Sequence, residues 1–154
     1  MSEQNNKERT LIILKPDAIQ RKLVGKIITR LEDKGFKIVG LKMIHMTQEL
    51  AKKHYEAHIN KPFFDSLLNF ISSTPVIVMV LEGVDVVNQI RKLVGATDCK
   101  KADVGTIRFD FGLSIQNNLI HASETVNDAN REISIFFNQN ELFDYKLLLD
   151  EIIS

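Results

Sequence analysis

Pro75-Val76-Ile77-Val78-Met79-Val80-Leu81 is an apolar run, rich in β-branched residues, that follows Ser73-Thr74 and is closed by Gly83. Its length, its branching and its bounds predict a strand. No polar residue alternates with the apolar ones, so both faces are expected to be buried and the strand to lie inside a sheet. Outward from it, Leu11-Ile12-Ile13-Leu14 has the same character and stops at Lys15-Pro16. Phe36 to Met46, dense in Ile, Val, Leu and Met, predicts a longer strand, and Leu119-Ile120-His121 a short one.

Helical spacing fills the intervals. Leu23, Val24, Ile27, Ile28 and Leu31 form one stripe, with Gly35 as its stop. Thr47 reads as the N-cap of a helix over Gln48 to Tyr55. Phe63 to Ile71 and Val84 to Val94 are two further helices, the second closed by Gly95. Ala96 to about Asn118 reads as one long polar segment. Thr125 with Asp128 resembles a capping box that opens a helix carrying Val126, Ala129, Ile133, Phe136 and Phe137. The order is βαββαβ with added helices. It predicts a ferredoxin-like α+β sandwich with a four-stranded antiparallel sheet.

The 154 residues are expected to form a single domain, 1–154, with a polar N-terminal segment, 1–7, and a C-terminal tail, 145–154. The chain is 44% apolar and 26% charged, with 20 basic and 20 acidic residues and no formal net charge. That balance gives no reason to expect a nucleic-acid or membrane partner. The single cysteine, Cys99, rules out an internal disulfide and fits a reducing, cytoplasmic setting. Met1 to Thr10 has no apolar core of a secretory signal, and no apolar run is long enough to span a bilayer.

Gly25-Lys26 is not a Walker-type loop, because Gln20 and Ile27 stand where a glycine and a hydroxyl are needed. His54 and His58 are four apart, but Tyr55 follows His54 where a zincin needs Glu, so they read as an exposed helical pair rather than metal ligands. His45 reads as an edge histidine at a strand end. Cys99, in a polar loop, reads as a thiol open to oxidation and not as a nucleophile. Met43, Met46 and Met79 read as packing. His121 falls at a strand-to-helix junction, a position that faces clefts and offers backbone N–H groups. Glu132 lies beside Ala129 and Phe136 on the next helix and can be drawn toward it. On spacing alone, His121 reads equally well as a packed histidine at a strand end.

Several segments then coincide with one family. Asn118-Leu119-Ile120-His121-Ala122-Ser123-Glu124-Thr125 resembles the Asn-x-x-His-Gly-Ser-Asp-Ser signature of nucleoside diphosphate kinases. Leu11 to Ala18, Arg21 to Ile28, His54-Tyr55, Pro62-Phe63-Phe64, Gly95-Ala96-Thr97 and Gly105 to Phe111 are similar to further blocks of that family, in the same order, so that the resemblance covers about residues 8 to 145.

The resemblance implies ping-pong transfer of a γ-phosphoryl group from a nucleoside triphosphate to a nucleoside diphosphate through a phosphohistidine on His121. It implies Glu132 and Ser123 as the groups that orient the imidazole, with Lys15 and Tyr55 reaching the transferred group. It implies Arg91, Arg108 and Thr97 on the phosphates, Lys15 and Asn118 on the ribose, and Phe63 as an aromatic face for the base. Leu67, one turn on, reads equally as core. No protein metal ligand is implied: Mg2+ is expected to come with the nucleotide. Family members are homohexamers or homotetramers, and the length of the tail resembles the hexameric branch.

The chain departs from the family pattern in places. Ala122 stands for the usual glycine after the histidine, which would strain the backbone if φ were positive there. Glu124 and Thr125 stand for Asp and Ser. Asp98-Cys99 and Val104-Gly105 stand where Asn-Pro and Pro-Gly are usual, so the loop is expected to be looser and its subunit contacts weaker.

Overall fold

The computed structural model describes residues 7–148, so most of the polar N-terminal segment and the last residues of the tail lie outside the described residues. Four strands, β1 (Lys7–Leu14), β2 (Lys37–Ile44), β3 (Val76–Val84) and β4 (Ile120–Ala122), form one antiparallel sheet in the order β2-β3-β1-β4. The helices are α1 (Pro16–Gln20), α2 (Val24–Asp33), α3 (Gln48–His54), α4 (Phe64–Ile71), α5 (Val86–Val94), α6 (Ile107–Phe111) and α7 (Val126–Phe136). The ferredoxin-like α+β arrangement is the one the hydrophobic pattern predicts.

The strands alternate between two cores, as a period of two requires. Ile12, Leu14, Ile77, Met79 and Leu81 pack with Ile27, Leu31, Ile90 and Val94 of α2 and α5. Leu11, Ile13, Val76, Val78 and Val80 pack on the other face with Ala51, Leu68, Ile133 and Phe136 of α3, α4 and α7. The unbroken apolarity of β3 follows from covering both faces: Val76 to Leu81 are all buried. Each such side chain contributes roughly 1.5–3 kcal/mol by leaving water.

Several boundaries differ from the sequence reading. β3 runs through Gly83 to Val84, because Gly83 pairs with Glu8 and the ladder continues. A Cβ at Gly83 would lie 2.8 Å from the Phe36 ring, so close packing explains this glycine better than strand termination does. β1 starts at Lys7, well before its apolar stretch, held by that same pairing. Lys15-Pro16 opens α1, with Pro16 in the first turn, a place proline tolerates. The segment from Ala96 to Asn118 contains α6, capped by Thr106, whose side chain accepts from Phe109 N–H at 3.2 Å. Thr47 and Thr125 cap α3 and α7 through side-chain bonds from Leu50 and Asp128 N–H. Cys99 is buried, with Sγ 3.3 Å from Ser114 O, and is not an open thiol. Met46 and Met79 are core, but Met43 is 58% exposed on edge strand β2 and packs nothing inside.

Candidate active site

β4 carries His121, and the register of its short ladder places it beside the middle of the sheet: Ile13 faces His121 and Ile12 faces Ala122. Just before it, Leu119 has φ +75, a conformation a branched-chain residue rarely adopts. Two backbone anchors hold it. Leu119 N–H donates to Asp17 Oδ2 at 3.1 Å, and Leu119 O accepts from Lys15 N–H at 2.8 Å. The start of α1 thus pins the turn that presents Asn118 on one side and His121 on the other. Ala122 is not among the residues with positive φ, so alanine carries no backbone cost at this position.

Glu132 occupies a slot on the inward stripe of α7 between Ala129, Ile133 and Phe136, and is only 4% exposed. A buried carboxylate must be paired. Its Oε1 lies 3.0 Å from His121 Nε2 and accepts from Ser123 Oγ–H at 2.7 Å. Burial works to raise the Glu132 pKa, but the hydrogen bonds and charge of its partners outweigh that and hold it below the ordinary value. Ser123 is itself fully buried, and its Oγ also accepts from Leu11 N–H at 3.0 Å, which ties the carboxylate to β1.

A pocket of about 800 Å³ opens over His121. Of the residues named from the sequence, Lys15, Tyr55, Phe63, Arg91, Thr97, Arg108, Asn118, His121 and Glu132 line it, while Ser123 stands behind Glu132. Lys15 Nζ donates to Asn118 Oδ1 at 2.8 Å, and Asn118 Nδ2 donates to Thr97 O at 3.0 Å. Burial first, and then the charge of Arg108, lowers the Lys15 pKa to about 8. Arg108 is buried and donates to the carbonyls of Asn118, Gly95 and Ile120. Burial is the main cause that takes it down to about 10, so it is a cation at neutral pH. Arg91 donates to Ala122 O at 3.3 Å. Phe63 is 49% exposed at the mouth, with Lys61 Nζ 5.7 Å from its ring centre.

His54 is where the sequence reading fails. It is not one of an exposed pair: it is 5% exposed, and its ring meets His121 edge-on with centres 4.6 Å apart. Its Nδ1 lies 3.8 Å from Glu132 Oε2. Burial, and secondarily the His121 charge, lowers its pKa to about 3, so it is neutral in this site. Its true partners are 67 and 78 positions along the chain, read as His121 and Glu132 against His54, beyond any local spacing rule. The local signs were the His54-Tyr55 block of the resemblance and Ala51, whose burial puts His54 on the inner face of α3. Arg131, also missed, lines the pocket with its guanidinium 3.9 Å from Glu132 Oε2.

The fold and the pocket together define a class: an α+β domain with a carboxylate-oriented histidine set among cations that suit a polyanion. Comparison with known proteins gives the family. The sequence model of the family described as nucleoside diphosphate kinase matches residues 8–142. The chain is 56% identical over 146 residues to a nucleoside diphosphate kinase of Pyrococcus horikoshii, covering 93% of each, and 48% identical over 147 residues to one of Methanosphaera stadtmanae, covering 96% of this chain and 97% of that one. Its fold superimposes with a TM-score of 0.93 on a halophilic nucleoside diphosphate kinase from Halobacterium salinarum in complex with CDP, at 47% identity and covering 96% of this chain and 99% of that one. This chain belongs to the nucleoside diphosphate kinase family.

Proposed function

We infer that the chain is a nucleoside diphosphate kinase whose nucleophile is His121, carrying a phosphoryl group between nucleotides in two half-reactions. The observation that carries this reading is the 3.0 Å contact of His121 Nε2 with Glu132. A neutral imidazole has one N–H and one lone pair. With Nε2–H donated to the carboxylate, the lone pair is on Nδ1. That atom attacks the γ-phosphorus, the bond to the β,γ-bridging oxygen breaks, and the diphosphate leaves. The imidazole becomes cationic at Nε2–H, beside the Glu132 anion. The second half-reaction reverses these steps with another diphosphate.

Lys15, Arg91 and Arg108 offset charge on the phosphates, and Thr97, which lines the same pocket, offers them its hydroxyl. Lys15 and Asn118 take the ribose hydroxyls and Phe63 the base face, a stacking contact that every base offers. The Tyr55 hydroxyl is buried without a hydrogen-bond partner among the described residues, and burial pushes its pKa up, so it stays an O–H donor for the transferred group.

Mg2+ belongs to the substrate. Among the described residues, the carboxylates lining the pocket are Glu132, which is committed to His121 and Ser123, and Glu124 and Asp128 farther along the β4–α7 segment. That donor set is not an oxygen cage, and it fits an ion held mainly by phosphate oxygens and water.

We propose a homohexamer. Edge strand β2 exposes Leu41 and Met43, and the segment after Gly95 exposes Val104, Leu113 and Ile115. These are two separate apolar surfaces, as an assembly with two kinds of contact needs. Light scattering at several concentrations distinguishes hexamer from tetramer. We also hold the enzyme to be cytoplasmic, which suits its nucleotide substrates and the free thiol of Cys99.

Incubation with γ-labelled triphosphate and Mg2+ tests the central reading. The expected product is an acid-labile, alkali-stable label on the protein, absent in His121→Ala. Unlabelled wild type, or labelling unchanged by that substitution, would overturn it.

A further inference from the structure

His54 remains unexplained by the phosphotransfer site. Both of its ring nitrogens are buried and have no hydrogen-bond partner among the described residues. Aromatic packing on Tyr55, His121 and Phe136 accounts for the ring's place but not for its two polar atoms. A buried polar group without a partner costs about 1–3 kcal/mol, and a phenylalanine would avoid that cost. Two further lone-pair donors stand beside it. One nitrogen of His54, one of His121 and one carboxylate oxygen of Glu132 lie within 4.8 Å of one another.

We propose that His54, His121 and Glu132 form a site for a borderline divalent cation such as Zn2+, occupied only while His121 is unphosphorylated. Two imidazoles and one carboxylate are a common zinc ligand set that leaves a fourth position open. Imidazole favours Zn2+ over Mg2+, so the substrate's own ion does not compete well. Tetrahedral ligands about 2.0–2.1 Å from zinc lie roughly 3.3 Å apart. His121 Nε2 is 3.0 Å from Glu132 Oε1 and His54 Nδ1 is 3.8 Å from Oε2, so the two imidazoles flank the carboxylate, one at each oxygen. His54 offers ring nitrogens that no hydrogen bond among the described residues occupies. His121, with its side chain 22% exposed, opens the fourth position to the pocket.

The exclusion follows from proton bookkeeping. A neutral His121 has a single lone pair. If zinc takes it at either nitrogen, the other nitrogen keeps N–H and the ring has nothing with which to attack phosphorus. If Nδ1 is phosphorylated and Nε2–H is held by Glu132, the ring has nothing to give zinc. The cation therefore acts as an inhibitor that competes with the phosphoryl group for one electron pair. The site itself stands on geometry, and only the exclusion rests on His121 being phosphorylated.

Titration of the full chain with Zn2+ against a chromophoric chelator, in millimolar Mg2+, decides it. One Zn2+ per chain is expected. Loss even of an outer-shell partner typically weakens a metal by about 10–100-fold, so His54→Gln and His121→Ala should each weaken binding by about tenfold or more. His45→Gln with His58→Gln should leave it unchanged. Wild type phosphorylated by Mg·ATP and freed of nucleotide should bind about tenfold more weakly or worse, and ADP should restore binding. Equal binding by the phosphorylated protein or by both site variants, or no stoichiometric binding by wild type, overturns the proposal. The phosphorylated arm needs no substitution, so a misfolded variant does not blunt the test. A protein that cannot be phosphorylated sinks the functional reading, while the variants still report on the site.

Discussion

Glu132 holds the His121 imidazole by Nε2, 3.0 Å from Oε1, while Ser123 fixes the same oxygen from behind at 2.7 Å. The carboxylate sets the tautomer and also faces the positive charge that develops on the ring. Glu132→Gln keeps shape but loses charge. Hydrogen bonds to charged groups contribute about 1.5–3 kcal/mol, so kcat should fall about 10- to 150-fold. The nucleotide KM should move little, since this is an interaction strengthened in the transition state. Steady-state and rapid-quench kinetics check it. A KM increase with kcat intact would move Glu132 into nucleotide binding.

Lys15 should set a basic limb in kcat/KM. Burial and Arg108 bring its pKa to about 8, so the free enzyme loses this cation above that pH and its activity toward nucleotide should fall. Stability should move the other way. The folded value lies below the ordinary 10.5, so between the two the unfolded chain binds more protons and stability rises with pH. Lys15→Arg keeps its charge throughout and should abolish the limb, at some cost in absolute rate. Parallel pH–rate and pH–denaturation profiles separate titration from unfolding. A limb that survives in Lys15→Arg assigns it to another group.

Much of this was open to reading along the chain. β3 declared itself central because six consecutive apolar residues need two covered faces, and Thr47 and Thr125 announced their helices by a short-range bond. Motif resemblance marked Lys15, Arg91, Arg108 and His121, which the pocket brings together. What escaped was set by contacts distant in sequence. α6 is a single short helix amid polar residues, fixed by Arg108 reaching the carbonyls around β4, and no periodicity shows in so few residues. The pairing of Gly83 with Glu8 extends β1 and β3 past their apolar stretches. His54 needed α3 and α7 to be packed on one sheet face before its partners existed.

Asp17 should matter to transfer without touching substrate. Its Oδ2 accepts from Leu119 N–H at 3.1 Å and stabilises the positive φ between Asn118 and His121. Removing the acceptor leaves a buried N–H unpaired, a cost of about 1–3 kcal/mol. Asp17→Ala should lose that much in urea unfolding and also lower the transfer rate. Asp17→Asn retains an oxygen acceptor and should recover most of both. Asp17→Ala with wild-type stability and rate would show that the turn holds itself.

Gly95 is a tight point behind the phosphate clamp. It ends α5 with φ +92, and a Cβ there would lie 2.5 Å from Thr106 Oγ1 and 2.7 Å from Thr106 Cβ. Thr106 caps α6, which carries Arg108, and Arg108 donates to Gly95 O at 3.0 Å. Gly95→Ala therefore combines strain in an extended positive-φ region essentially confined to glycine, about 1–3 kcal/mol, with an overpacked contact, about 1–3 kcal/mol. The strain is relieved by moving the residue that places the guanidinium, so ADP affinity should fall along with stability. Gly25→Ala is the contrasting case: the glycine lies within α2 with nothing within 4 Å of its built Cβ, and alanine should add about 0.5–1 kcal/mol. Urea unfolding and ADP titration on the two variants give opposite signs of stability change if this is right. A Gly95→Ala protein as stable as wild type, with unchanged ADP affinity, would mean that α5 and α6 shift apart freely and that the position of Arg108 does not depend on their contact.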